Sequence, residues 1–116
     1  MIAIPFTQLG TVHQYATIAA NSSGRVFYLK IPESTVGFIQ SVANNWFDNT
    51  YYSWAVDGAI VESKIERMLA SITEPKNFEP PYLVKNEIEF IAFNNDTESH
   101  VFEVLCDGIC YQKRRI

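Results

Sequence analysis

Polar and apolar residues alternate along much of this chain. Strand side chains point to opposite faces with a period of two, so alternation marks strands that bury one face. Residues 25–31 set Arg25, Phe27, Leu29 and Ile31 against Val26, Tyr28 and Lys30, and the face with Phe27, Leu29 and Ile31 is predicted to be core. Across residues 36–43, Val36, Phe38, Gln40 and Val42 share one face, and Gly37, Ile39, Ser41 and Ala43 the other. Residues 50–56 group Tyr52, Trp54 and Val56 against Tyr51, Ser53 and Ala55. Residues 87–94 put Ile88, Phe90 and Ala92 on one face and Ile91 and Phe93 on the other, which predicts a central strand partly covered on both sides. Further strands are predicted at 11–20, 82–85, 100–106 and 109–112.

Turn chemistry separates these runs. Asn21-Ser22-Ser23-Gly24, Pro32 to Thr35 and Asn94 to Glu98 read as turns. Asp57-Gly58 and Asp107-Gly108 each read as a tight hairpin, because both residues tolerate the left-handed backbone such turns require. Pro75, Pro80 and Pro81 lie within Glu74 to Pro81, which is predicted to be a stiff crossover between sheets rather than a helix or a central strand. Residues 59–72 fit two patterns. Ile65, Met68, Leu69 and Ile72 recur at helical spacing behind a Ser63-x-x-Glu66 capping box, yet Asp57-Gly58 implies an immediate strand return. The strand reading is preferred because the surrounding chain is β throughout. About eight short strands then predict an all-β fold, an antiparallel two-sheet sandwich of jelly-roll or Greek-key type. Residues 1–10 are expected to be an extended arm, 11–112 the sandwich, and 113–116 a basic tail.

Between the strands at 36–43 and 50–56 lies Asn44-Asn45-Trp46-Phe47-Asp48-Asn49, a polar loop holding two large aromatics. Phe47 is expected to fold back and plug one end of the core. Trp46 fits equally a plug or a protruding platform for a ligand or a neighbouring chain. With Tyr51, Asn44 and Asn45, these residues form the candidate interface or ligand set. Lys113, Arg114 and Arg115 join it as a cationic end that is either simply solvated or clips onto an acidic partner groove.

Composition narrows the classes. At 116 residues the chain is one domain, large enough for a core without staples. A net charge of −4 argues against a general nucleic-acid surface. The N-terminus lacks a charged leader and a long apolar run, so no secretory signal is expected, and no apolar stretch of about 20 residues predicts a membrane span. Cys106 and Cys110 flank the second Asp-Gly, and a two-residue hairpin there would send them to opposite faces. A three-residue loop would instead set them opposite each other; two free thiols are the expectation. No phosphate loop, nucleophile elbow or metal-ligand pattern is present, so no enzyme activity, cofactor or metal is expected. His13 and His100 are read as surface residues. Glu87 with Glu89, and Glu62 with Glu66, are read as solvated charges rather than glycosidase pairs. Asn94-Asn95-Asp96 is read as a turn rather than a calcium site.

Several segments together carry a resemblance. They are Ile31-Pro32 before Val36-Gly37-Phe38-Ile39, then Trp54-Ala55-Val56-Asp57-Gly58, Pro75 to Pro81, Phe93-Asn94-Asn95-Asp96-Thr97, and His100 through Gly108. Over roughly residues 25–110 the chain resembles small single-domain β-sandwich virion proteins of tailed bacteriophages and related viruses. The resemblance implies a jelly-roll-like structural module: a capsid decoration (cement) protein, or part of a fibre, spike or tail. It implies localisation to the virion after synthesis in the host cytoplasm. It also implies partners among copies of itself or other virion proteins, such as major capsid or tail proteins, and brings no catalytic residues. The alternative from the residues themselves is a carbohydrate-binding module, with Trp46, Tyr51, Asn44 and Asn45 as sugar contacts.

Overall fold

The computed structural model describes residues 2–112. Nine strands occur among them: β1 (Ala3–Pro5), β2 (His13–Ile18), β3 (Ser22–Lys30), β4 (Thr35–Asn44), β5 (Thr50–Val56), β6 (Ala59–Ile65), β7 (Lys76–Val84), β8 (Glu87–Asn94) and β9 (His100–Gln112). The chain folds as one long antiparallel ribbon. β5 returns into β6 through Asp57-Gly58, both with positive φ, and β3 pairs with β8, β4 with β7, and β2 with β9. The ribbon then rolls up, so that β4 also pairs with β9 and β5 with β8. The result is two antiparallel sheets, β2-β9-β4-β7 and β3-β8-β5-β6, with β1 continuing the β2 edge along β9. This strand order is the jelly roll.

The predicted inward faces form the core. Phe27, Leu29, Ile31, Tyr52, Trp54, Val56, Ile88, Phe90 and Ala92 are all buried between the sheets. Phe27 meets Phe90 edge-on, and Trp54 stacks on Phe90 with centroids 5.1 Å apart. β8 is central in its sheet, flanked by β3 and β5, as its two apolar faces predict.

Several sequence expectations are corrected. Asp107-Gly108 makes no hairpin, since β9 runs unbroken for 13 residues with β4 alongside. Gly108 is there for space: a Cβ would collide with the Phe38 carbonyl oxygen and lie 2.8 Å from the Phe6 ring. The strict alternation expected over 36–43 fails at Gln40, where the β4 register shifts, so both Ile39 and Val42 point inward. A similar shift between Arg25 and Phe27 buries Val26 beside Phe27. The proline segment is a strand as well as a crossover. β7 holds Pro80 and Pro81 at the edge of its sheet, and its pairing with β4 breaks between Asn77 and Tyr82, where no ladder hydrogen bond is demanded of the prolines. Among the described residues of the N-terminal arm, β1 pairs with β9, and a 3₁₀ turn at Phe6–Gln8 places Phe6 fully in the core. In the ambiguous region, β6 forms over 59–65 and no helix follows.

Two side chains organise the edges. Gln14 of β2 donates to the Tyr28 carbonyl (2.8 Å) and accepts from the Tyr28 N–H (3.2 Å), satisfying the otherwise open edge of β3. Asp57, at the ribbon's tip, accepts from the backbone N–H groups of Lys85 (2.9 Å), Asn86 (2.6 Å) and Glu87 (3.1 Å), clamping the β7–β8 turn. Partial burial pushes the Asp57 carboxyl up, but the N–H groups of Asn86, Lys85 and Glu87 outweigh it and leave its pKa below the ordinary 3.8. A depressed carboxylate contributes stability that is complete above the unfolded value and is lost as pH falls through the folded one. Thermal melts should therefore show wild type ahead of Asp57→Asn by a constant margin above about pH 5, shrinking as pH falls below the ordinary carboxylate range. A margin independent of pH would contradict the clamp.

Candidate functional site

β4 ends at Asn44, still paired with Val104 of β9, and that residue's buried side chain bonds the chain beyond the strand. Its Nδ2 donates to the Asn45 carbonyl (2.8 Å) and its Oδ1 accepts from the Leu69 N–H (2.8 Å), latching residues 66–72 to the sandwich end. Asn45 is equally committed. Its Oδ1 accepts from the Tyr52 hydroxyl (2.8 Å) and the Glu103 N–H (2.9 Å), and its Nδ2 donates to the Val101 carbonyl (2.9 Å). Both asparagines expected as ligand contacts thus hold the loop instead, because buried backbone groups at a strand end need partners. Burial pushes the Tyr52 hydroxyl pKa far up, so it stays a neutral donor to Asn45.

Phe47 is the expected plug. It stacks on His100 at 4.1 Å and meets Phe102 edge-on at 5.5 Å. His100 is not a surface residue: its Nε2 lies 2.7 Å from Asp96 Oδ2, and its side chain is only 16% exposed. The His100 hydrogen bond, followed by the Thr97 N–H, holds the Asp96 carboxyl below the usual range. Thr50 stitches the same loop, its hydroxyl donating to the Phe47 carbonyl (2.6 Å).

Trp46 is neither fully buried nor free of the body. Its Nε1 donates to the Thr50 carbonyl (3.1 Å), which fixes the half-buried indole against the start of β5. Tyr51 stacks on Phe93 at 4.6 Å on the outer face of the β3-β8-β5-β6 sheet. Trp46 and Tyr51 then line a shallow groove of about 380 Å³ with Asn49, Thr50, Lys64, Glu66 and Asn95. Sequence reasoning found Trp46 and Tyr51 but missed Lys64, Glu66 and Asn95. The usable signal was the pairing of Tyr51 with Phe93, which brings the β8–β9 turn beside the aromatic loop.

The remaining candidates do not assemble into reactive chemistry. Glu89 pairs with Arg25 (2.8 Å) and Glu87 accepts from the Tyr28 hydroxyl (2.8 Å). Glu66 pairs with Lys64 (3.0 Å), while Glu62 lies 3.4 Å from the Trp54 Nε1. Asn94 is buried and spends its Nδ2 on the Ile18 and Glu98 carbonyls, as a turn residue does. No group of three or more potential metal ligands occurs among the described residues. His13 lies tilted against Tyr15 at 4.7 Å and sits 3.4 Å from Glu103 without hydrogen-bond geometry. Cys106 and Cys110 are free, but both face inward on the continuous β9, and burial raises both thiols above their ordinary value. Lys113, Arg114 and Arg115 lie outside the described residues.

A second feature emerges on the outer face of the larger sheet. Register places Pro5, Ile109, Phe38 and Leu83 side by side across β1, β9, β4 and β7. Ala3, Tyr111 and Val36 form the adjoining row, and Phe38 meets Tyr111 edge-on at 5.9 Å. Leu83 is 46% exposed and Tyr111 37%. The opposite outer face sets Glu87, Glu89 and Arg25 beside the apolar Tyr51, Phe93 and Ile91. No protein-family model matches this chain, and no curated protein matches it in sequence.

Proposed function

We propose that this chain is a non-enzymatic virion structural protein, of the capsid decoration or fibre type, that binds other virion subunits through the outer face of its larger sheet. The observation that carries the docking face is the apolar row Pro5–Ile109–Phe38–Leu83, four strands wide. An antiparallel sheet with one face in water ordinarily alternates apolar inside with polar outside. Here alternation breaks down over two adjoining rows, and an apolar patch of that continuity marks an association surface. The virion setting rests on the sequence resemblance over residues 25–110.

The test is size-exclusion chromatography with light scattering, joined to reconstitution with virion shells or fibres. Wild type is expected to self-associate or to join the particle. Leu83→Lys puts a charge on an exposed edge-strand position and should abolish that association, with the β-sheet circular dichroism unchanged. A wild-type chain that stays monomeric at every concentration and never joins a particle would defeat the proposal.

A further inference from the structure

The groove beside Trp46 lies away from the apolar row, on the other sheet and at the loop end of the sandwich. We propose that it is a binding subsite for a neutral saccharide. Its two aromatic side chains are already held in place: Trp46 by its hydrogen bond to the Thr50 carbonyl, Tyr51 by its stack on Phe93. Pre-set rings of this kind supply contact area at low entropic cost. The C–H face of a pyranose packs on the Trp46 ring, its polarised hydrogens toward the negative π face, while Tyr51, stacked on Phe93 and with Lys64 Nζ 5.5 Å from its centroid, forms a wall.

The rim matches hydroxyl chemistry. Each sugar hydroxyl is at once donor and acceptor, and an amide side chain offers both functions. Asn95 gives its backbone N–H to the Asn49 carbonyl (2.9 Å), which locks the two loops together, while its side-chain amide has no partner among the described residues. Asn49 forms the neighbouring wall. Lys64 and Glu66, 3.0 Å apart and both more than half exposed, add one donor group and one acceptor group. Their charges cancel across the groove, so nothing there favours an anionic sugar over a neutral one. A volume of about 380 Å³ falls at the small end of ligand sites and accommodates one or two sugar rings. The groove is shallow, which suits a residue within or at the end of a chain lying along the surface.

The experiment is an array of neutral and sialylated oligosaccharides probed with the wild-type chain. The strongest ligand is then titrated by amide-resolved NMR against wild type, Trp46→Ala, Trp46→Phe, Asn95→Ala and Leu83→Lys. Neutral glycans are expected to bind, with shifts centred on Trp46, Asn49, Tyr51 and Asn95. Asn95→Ala should weaken binding about three- to tenfold, as loss of one or two hydrogen bonds does. Trp46→Ala should abolish binding, and Trp46→Phe, which keeps an aromatic face, should retain part of it. Leu83→Lys should bind like wild type, which separates this site from the assembly face. Silence of folded wild type across the array overturns the proposal. So does binding restricted to sialylated glycans, or binding unchanged in both Trp46→Ala and Asn95→Ala.

Discussion

Replacing Trp54 by alanine is expected to remove about 3–5 kcal/mol of stability, the usual cost of deleting a fully buried aromatic. A domain of this kind holds only about 5–15 kcal/mol in total, so the melting temperature should fall by more than about 10 °C. Trp54 is 2% exposed and joins the two sheets. On β5 it stacks on Phe90, and across the core it packs against Phe78 and Tyr82 of β7, at centroid distances of 6.3 and 5.9 Å. Those contacts hold β7 just where its ladder with β4 is interrupted. Urea denaturation of wild type, Trp54→Phe and Trp54→Ala is the check, and Trp54→Phe should fall between the other two. The half-buried Trp46 would remain as the only indole, so the alanine variant should also emit at longer wavelength. A Trp54→Ala protein that melts within a degree or two of wild type would show that the inter-sheet aromatic cluster does not carry the sandwich.

Gly108→Ala should be nearly as damaging, at about 3 kcal/mol or more, whereas Gly58→Ala should cost about 1–2 kcal/mol. The two glycines follow the same residue type and have opposite reasons for being glycine. Gly58 has φ +81° and open space for 4 Å around the point a methyl group would occupy, so alanine meets only backbone strain. At Gly108 a methyl group would press on the Phe38 carbonyl, which is backbone and cannot rotate away, and on the Phe6 ring. Relief requires moving β9 away from β4 at the bulge and expelling Phe6 from the core. Parallel thermal melts of the two variants settle the comparison. Equal destabilisation, or a milder effect at Gly108, would mean that the packing of Phe6 over β9 is not as tight as described.

That contrast shows how far local chemistry reaches. Asp-Gly correctly marks the β5–β6 turn, where the ribbon has to reverse. The same dipeptide at 107–108 lies inside a 13-residue strand, because β9 is paired by β4 on one side and by β1 and β2 on the other. The β4 ladder carries β9 through Asp107-Gly108 across its bulge at Gln40, with β2 pairing up to Leu105 and β1 taking over from Ile109, and together they override a turn preference worth far less than the hydrogen bonds a hairpin would break. Likewise, prolines 80 and 81 read as breakers, yet an edge strand with a register break accommodates them. Of the candidate residues, Phe47 and Trp46 were visible as aromatics stranded in a polar loop. Asn44 and Asn45 looked like free amides there, and only their partners, as far away in sequence as Leu69, Val101 and Glu103, show that they are already engaged.

The order of residues alone was enough to establish an all-β sandwich, and to say which faces of β3, β5 and β8 turn inward, because period-two burial is a property of each strand taken singly. The rest waited on three-dimensional packing. Which strands become neighbours, where bulges flip a face, and how residues 3, 5, 36, 38, 83, 109 and 111 come to form one apolar surface all depend on register between distant segments. No local pattern encodes that register. It is set by the simultaneous closure of both sheets around Trp54, Phe90 and Phe6.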